Sequence, residues 1–205
     1  MRRGPALHVV IMARAPRLGA VKRRLARDVG DLAAWRFYRH GLVSLLRRLG
    51  RTRRWRCWLA VTPDSAVSAG WPSPWRAVAQ GPGDLGARMG RLLRDLPPGP
   101  VVIVGSDIPD VRPAHIAAAF ARLGSCGWVF GPAADGGYWL IGARRRPARR
   151  DPFAGVRWSS CHALADTLAN MRGASVGYLE ELQDVDTGAD WHRWRQRIKR
   201  PSGAP

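Results

Sequence analysis

The chain predicts an α/β sandwich built on a mostly parallel sheet, and three observations predict it. Apolar runs alternate with helix-patterned segments along the whole length, the order that produces strand–helix–strand units. Residues 101–104, Val-Val-Ile-Val, form an unbroken aliphatic run, as expected of a strand covered on both faces. With 205 residues, 46% of them hydrophobic and ten of them Trp, the chain is expected to form one packed domain over 1–205, with 196–205 as a flexible tail.

Taken in order, residues 7–13 read as the first strand. Met1-Arg2-Arg3 and the Ala-Arg-Ala at 13–15 also allow a signal peptide, but the apolar stretch is short and contains His8. Segments 21–29 and 32–49 read as helices, the second with Leu42, Leu45, Leu46 and Leu49 at helical spacing. A strand follows at 55–61, then turn-rich sequence at 62–74, a short strand at 75–79 and a helix at 85–96. After the buried strand at 101–104, a helix at 113–123 opens on Pro113. Segments 127–130 and 138–141 are strands around the glycine-rich turn Asp135-Gly136-Gly137, a hairpin signal. A basic loop at 144–151, a helix at 161–171 and a strand at 175–179 come next. The last helix, about 188–198, is opened by Thr187 with Asp190 three positions on, a capping box.

Composition excludes several classes. No apolar run approaches the roughly 20 residues of a membrane span. Three scattered cysteines with no Cys-x-x-Cys argue against a disulfide framework or zinc site and fit a reducing cytoplasm. The formal charge of +19 invites nucleic acid as a partner. Yet Arg, Ala, Gly and Pro are all heavily used while Lys occurs only at 22 and 199, the mark of G+C-rich coding, and the arginines spread along the whole chain. Nucleic acid is therefore not the expected partner, and phosphorylated small molecules suit the sign equally well.

In an open parallel sheet, ligands collect beyond the carboxyl ends of the strands. After the first strand, Pro16 and Gly19 make a bend into a helix expected to begin near Val21. That puts Lys22 and Arg24 in its first turn, where cations oppose the helix dipole unless an anion is present. Lysine offers a compact ammonium where arginine offers a broad fork, so the isolated Lys22 suggests that an ammonium is wanted; the alternative is a solvated basic face. Gly81, Gly83 and Gly86 spell Gly-x-Gly-x-x-Gly, with Asp107 about twenty residues on, which also allows a dinucleotide site. Pro82 stiffens that loop, and the unit is not the opening one of the chain. Asp107 ends the most apolar strand and is a natural Mg2+ ligand facing a phosphate site. Its alternatives are a helix cap or a pair with arginine, with Asp110 the expected helix-start residue. Asp184 and Asp186 precede the last helix, Asp186 as a second metal carboxylate or as part of the helix cap. Gly137, with Tyr138 and Trp139 after it, allows close backbone approach beside an aromatic platform.

Five motifs, ARAPRLGAVKRRL (13–25), GDLGARM (83–89), GSDIP (105–109), GPAADGGYWLIG (131–142) and DVDTGAD (184–190), occur in order over about 7–191. In this the chain resembles the bacterial GT-A-fold glycosyltransferase-like family associated with radical-SAM or selenium-domain genes. That family is similar in turn to the molybdenum-cofactor and phospholactate guanylyltransferases. The resemblance implies a GT-A, nucleotide-diphospho-sugar transferase-like α/β/α sandwich. Lys22 and Arg24 would touch nucleotide phosphates, with Arg14, Gly19 and Ser106 in the same binding segments. Asp107 would be the principal ligand of Mg2+ (or Mn2+) and Asp186 the second. Asp84, Gly86 and Arg88 would shape the nucleotide pocket. Asp135, Gly136, Gly137 and Tyr138 would face the acceptor or the transferred group, and Lys22, Asp107 and Asp135 form the expected catalytic set. Three departures stand out: Arg14 replaces Lys, Arg23 replaces Thr, and Gly188 replaces Pro, the last expected only to weaken the helix cap.

The expected activity is Mg2+-dependent transfer from an activated nucleotide donor to a small-molecule acceptor in the cytoplasm, with glycosyl transfer from a nucleotide-sugar first. Nucleotidyl transfer to a phosphorylated small molecule is the alternative. A dinucleotide-dependent oxidoreductase and a basic nucleic-acid-binding module rank below both. Donor base, sugar, acceptor and oligomeric state carry no sequence signature.

Overall fold

The computed structural model describes residues 5–144 and 151–199. The elements run β1 (His8–Arg14), α1 (Arg23–Val29), α2 (Asp31–Gly50), β2 (Arg56–Thr62), β3 (Arg76–Ala79), α3 (Leu85–Asp95), β4 (Val101–Gly105), α4 (Pro113–Arg122), β5 (Trp128–Pro132), β6 (Tyr138–Ala143), α5 (Ala163–Asn170), β7 (Val176–Tyr178) and α6 (Gly188–Lys199). The expected alternation therefore holds, with boundaries moved by a few residues and a 3-10 turn at Asp64–Ser68 inside the turn-rich segment. The basic loop lies mostly outside the described residues. Of the expected tail, 196–199 continue α6 and the remainder lies outside them.

The strands form one seven-stranded sheet in the order β3-β2-β1-β4-β6-β5-β7. The first four are parallel, β5 and β7 pair in parallel, and β6 is antiparallel to both its neighbours. A two-stranded turn at Asp135-Gly136-Gly137 can only join antiparallel strands, so the hairpin β5–β6 is what makes the sheet mixed. Alternation along β1 feeds both layers. Val9 and Ile11 pack with Leu42, Leu45, Leu46 and Leu49 of α2 and with Ile116 of α4. Val10 faces the opposite layer, with Met89 and Leu92 of α3 and Phe153 of the α5 side.

Chain direction reverses its lateral course at β1: β2 and β3 lie to one side of it and β4 to the other. The crevice beyond the carboxyl ends of β1 and β4 is thus the switch point where an open α/β sheet holds ligand. The Tyr38 hydroxyl of α2 ties its two lips together. It accepts from the Arg14 amide (2.9 Å), donates to the Arg14 carbonyl (2.8 Å) and lies 3.2 Å from Ser106 Oγ. Burial, then the charge of Asp107, pushes this phenol well above its ordinary pKa, so it stays a donor.

Candidate active site

At the switch point the loops after β1 and β4 and the approach to α6 converge on one ammonium. Lys22 Nζ lies 2.6 Å from Asp186 Oδ1 and 3.3 Å from Asp107 Oδ1. The Lys22 side chain is only 4% exposed, against 46% for Asp107 and 36% for Asp186. Burial works against its charge, but the two carboxylates outweigh it and hold the ammonium above its ordinary pKa. The compact ammonium was expected to meet phosphate oxygens; its protein partners are the carboxylate oxygens of Asp107 and Asp186. One expectation about its place in the chain is corrected. Lys22 is not in the first turn of α1 but at its N-cap, in the left-handed conformation (φ 49°, ψ 46°). An L-residue there is strained by roughly 1–2 kcal/mol. The kink turns the side chain away from the helix and into the crevice, so the anion that offsets the misplaced cation is supplied by the protein itself.

Asp107 and Asp186 share a cavity of about 560 Å³ with Arg24, Asp135, Gly137, Tyr138 and Asp184. Arg24, in the first turn of α1, is exposed, lies 4.0 Å from Asp186 Oδ2 and faces this space. The Asp135 carboxylate accepts the Gly137 amide (2.9 Å) and closes the turn. Gly136 (φ +82°) presses on the next loop so closely that a Cβ would meet the Cys161 carbonyl at 2.2 Å. The 158–161 loop walls the cavity. It is clamped by Arg157, whose Nε and Nη2 donate to Asp166 at 2.9 and 2.8 Å. Sequence reasoning missed that loop because its residues, Trp158 to Cys161, form no motif. Asp184, noted in the sequence only for its place before the last helix, is pushed up to about 6, by burial first and then by the charges of Asp186 and Asp135.

The remaining expected site residues are placed behind the cavity rather than on it. Asp84 is the N-cap of α3 and accepts from the Ala87 amide (2.8 Å). Arg88 donates to the Gly83 carbonyl (2.9 Å) and reaches Gln80 Oε1 (3.3 Å). Gly86 lets α3 approach the cavity loop, since a Cβ there would meet Phe153 at 2.6 Å and Trp158 at 2.8 Å. Arg14 and Ser106 are engaged through Tyr38, and Gly19 (φ +73°) turns the first loop. Asp110 does not start α4; Arg112 is the N-cap and Asp110 pairs with Arg197 of α6. The glycine loop at 81–86 is filled by Arg91, which donates to the Gln80 and Pro82 carbonyls. It also follows edge strand β3, with β2 and β1 between it and the β4 strand that Asp107 follows, so the dinucleotide spacing joins parts that are not neighbours.

Asp186 is held from two sides. Its amide donates to Asp190 Oδ2 (3.2 Å), which also accepts the Thr187 amide (2.8 Å), the expected capping box. The Gly188 amide donates to Asp28 Oδ2 of α1 at 2.7 Å. Gly188 is therefore more than a weakened cap: proline has no N–H to give, and any Cβ would meet Asp28 Cβ at 2.7 Å. Among the described residues no group of three or more His, Cys, Asp or Glu closes into a metal cage. Two half-exposed carboxylates on one lip suit instead a cation that takes one or two carboxylates and completes its shell with phosphate oxygens.

Comparison with solved structures agrees with this architecture. A candidate nucleotide-diphospho-sugar transferase from Desulfovibrio desulfuricans is 30% identical, with a TM-score of 0.86 over 96% of this chain and 89% of that one. A nucleotidyl transferase from Methanothermobacter shares the fold at 16% identity (TM-score 0.60, 95% and 98% covered). So does a Mycobacterium tuberculosis protein solved in complex with manganese, at 18% identity (TM-score 0.50, 92% and 97% covered). The α/β fold is thus that of nucleotide-diphospho-sugar transferases. No curated protein matches the chain significantly. A family model matches residues 45–160, more than half of the chain, and with the Desulfovibrio relative it shows that the chain belongs to the family described as uncharacterized protein conserved in bacteria (DUF2064).

Proposed function

We propose that this chain is a transferase using an activated nucleotide, with the donor diphosphate lying over the Asp107–Asp186 lip and a divalent cation, Mg2+ or Mn2+, between donor and carboxylates. The observation that carries this reading is the bridging of Asp107 and Asp186 by Lys22 at the switch point of the sheet. The cation would neutralise charge that builds on the departing phosphate oxygens. Arg24 meets the outer phosphate oxygens. Lys22 acts through the two carboxylates it aligns, as a positioning residue. Asp135, with one oxygen held by Gly137, offers the other to the acceptor proton. In the first reading an acceptor oxygen bonds to the anomeric carbon of a nucleotide-sugar as its bond to the diphosphate breaks. The fold shared with the Methanothermobacter nucleotidyl transferase supports a second, attack on the α-phosphorus of a nucleoside triphosphate with loss of pyrophosphate. The manganese-bound Mycobacterium structure supports a metal of this class on this fold. The motif order supports the narrower radical-SAM- or selenium-domain-associated type, and a cytoplasmic setting goes with it; among the described residues no helix is long and apolar enough to cross a membrane.

A panel of nucleoside triphosphates and nucleotide-sugars, each with and without Mg2+ or Mn2+, tests the reading by thermal stabilisation. A donor present at 100 times its Kd should stabilise the fold by about 2.7 kcal/mol, and only with metal. Asp107→Asn should fold normally and lose that shift. A metal-dependent shift that survives in Asp107→Asn removes this carboxylate from the site.

A further inference from the structure

Helix α2 buries Ala34, Tyr38, Leu42, Leu45, Leu46 and Leu49 on one face. Its other face carries a second stripe at helical spacing, Arg36, Phe37, His40, Gly41, Ser44 and Arg48, and this stripe is not packed shut. Between it and α6 lies a cavity of about 550 Å³, well within the size range of small-molecule sites and separate from the Asp107–Asp186 crevice. Its walls combine two chemistries. Phe37, Trp191 and Trp194 are aromatic, with Phe37 and Trp194 edge to face at 5.3 Å. Arg36 and Arg48 bring guanidinium groups and His40 an imidazole, and among the described residues no carboxylate lines the space. Asp110, the carboxylate that acts on Arg48, is engaged by Arg197.

Two details mark the cavity as built to be filled. Arg48 Nη2 donates to the Pro109 carbonyl at 2.7 Å, which fixes the guanidinium, yet its Nε–H is buried with no hydrogen-bond partner. The guanidinium so fixed lines a space that, among the described residues, no carboxylate shares, which leaves its charge to an anion entering there. Gly41 sits in the interior of a 20-residue helix, where glycine is less favourable than alanine by about 1 kcal/mol. Nothing lies within 4 Å of where its Cβ would be, so no close contact requires glycine; the missing side chain leaves room in the cavity.

We propose that the α2–α6 cavity binds an amphipathic small-molecule anion: a flat aromatic body stacked among Phe37, Trp191 and Trp194, with its single anionic group held by Arg48 and Arg36. The site touches both halves of the crevice from behind. Arg48 holds the carbonyl two residues beyond Asp107, and α6, which carries both tryptophans, begins two residues beyond Asp186.

The probe is 8-anilinonaphthalene-1-sulfonate, titrated by fluorescence and compared with its uncharged relative N-phenyl-1-naphthylamine. The sulfonate should bind saturably at one site, at least tenfold tighter than the uncharged probe. Binding should weaken at least tenfold in Arg48→Gln and disappear in Gly41→Leu, which fills the cavity while raising helix propensity. Equal binding of the two probes, or binding by Gly41→Leu or Arg48→Gln that matches the parent, overturns the proposal. Asp107→Asn should bind the sulfonate like the parent, so failure at the crevice and failure at this cavity are read separately. Should Gly41→Leu not fold, the Arg48→Gln variant and the two-probe comparison still decide.

Discussion

Lys22 shows how much one residue can answer for. The chain uses arginine almost everywhere, yet here an ammonium sits 2.6 and 3.3 Å from two carboxylate oxygens in a space that leaves it 4% exposed. A guanidinium is planar, broad and rigid, and would separate the carboxylates it is meant to align. The anomaly of a lysine set among so many arginines was visible in the sequence. Its partners were not, because Asp107 and Asp186 are far away along the chain. Asp184 tells the same story from the acid side. Its carboxyl is raised to about 6, by burial and then by the charges of Asp186 and Asp135. A raised acid binds its proton in the native state at a pH where the unfolded chain, with a pKa of about 3.9, has lost it. Ionised Asp184 therefore opposes folding above about pH 6, and that penalty fades as pH falls toward 4. Asp184→Asn should raise Tm at pH 7.5 and give no gain at pH 4, measured by thermal unfolding across that range. A gain that is equal at both ends would mean that the substitution acts through packing.

At the scale of elements, the important contact is helix to helix. The α1 carboxylate Asp28 caps α6 through the Gly188 amide, and so ties the last turn of the short helix that Lys22 opens to the Asp186 end of the other. Comparison of motifs alone made Gly188 a mild loss relative to proline. In three dimensions it is the residue that permits the bond. Gly188→Pro should destabilise the protein by at least about 1.5 kcal/mol, the lower range for a hydrogen bond to a charged group, before the collision with Asp28 is added. Chemical denaturation measures this directly, and Asp28→Ala should cost a similar amount while leaving no clash. Other elements were legible as they stand. The Thr187–Asp190 box, Pro113 at the start of α4 and the Asp135-Gly136-Gly137 hairpin rest on contacts within a few residues, and local sequence is enough to specify those. The assignment of Asp110 to a helix start failed for the opposite reason, since its partner Arg197 comes from the far end of the chain.

For the molecule as a whole, the formal charge of +19 is the feature most open to misreading. The arginines of the crevice and of the α2–α6 cavity have defined places; many others are spread over the surface, with cation–π contacts to Trp35, Trp58 and Trp191. Such a distribution attracts polyanions without specificity. Affinity for random duplex DNA, measured by fluorescence anisotropy, should fall steeply between 50 and 200 mM salt and be the same for the parent and Asp107→Asn. Tight binding that resists salt and depends on Asp107 would instead join nucleic acid to the crevice. Composition and apolar periodicity determined the α/β class, the order of its elements and the strand-end positions of the acidic residues, because burial of alternating faces is written in local pattern. Only tertiary structure decided which strand ends are neighbours. It turned a glycine fingerprint into an arginine-filled edge loop, gave Lys22 its two carboxylates, and left a furnished cavity behind α2, because charge pairing and close approach depend on distance in space rather than on separation along the chain.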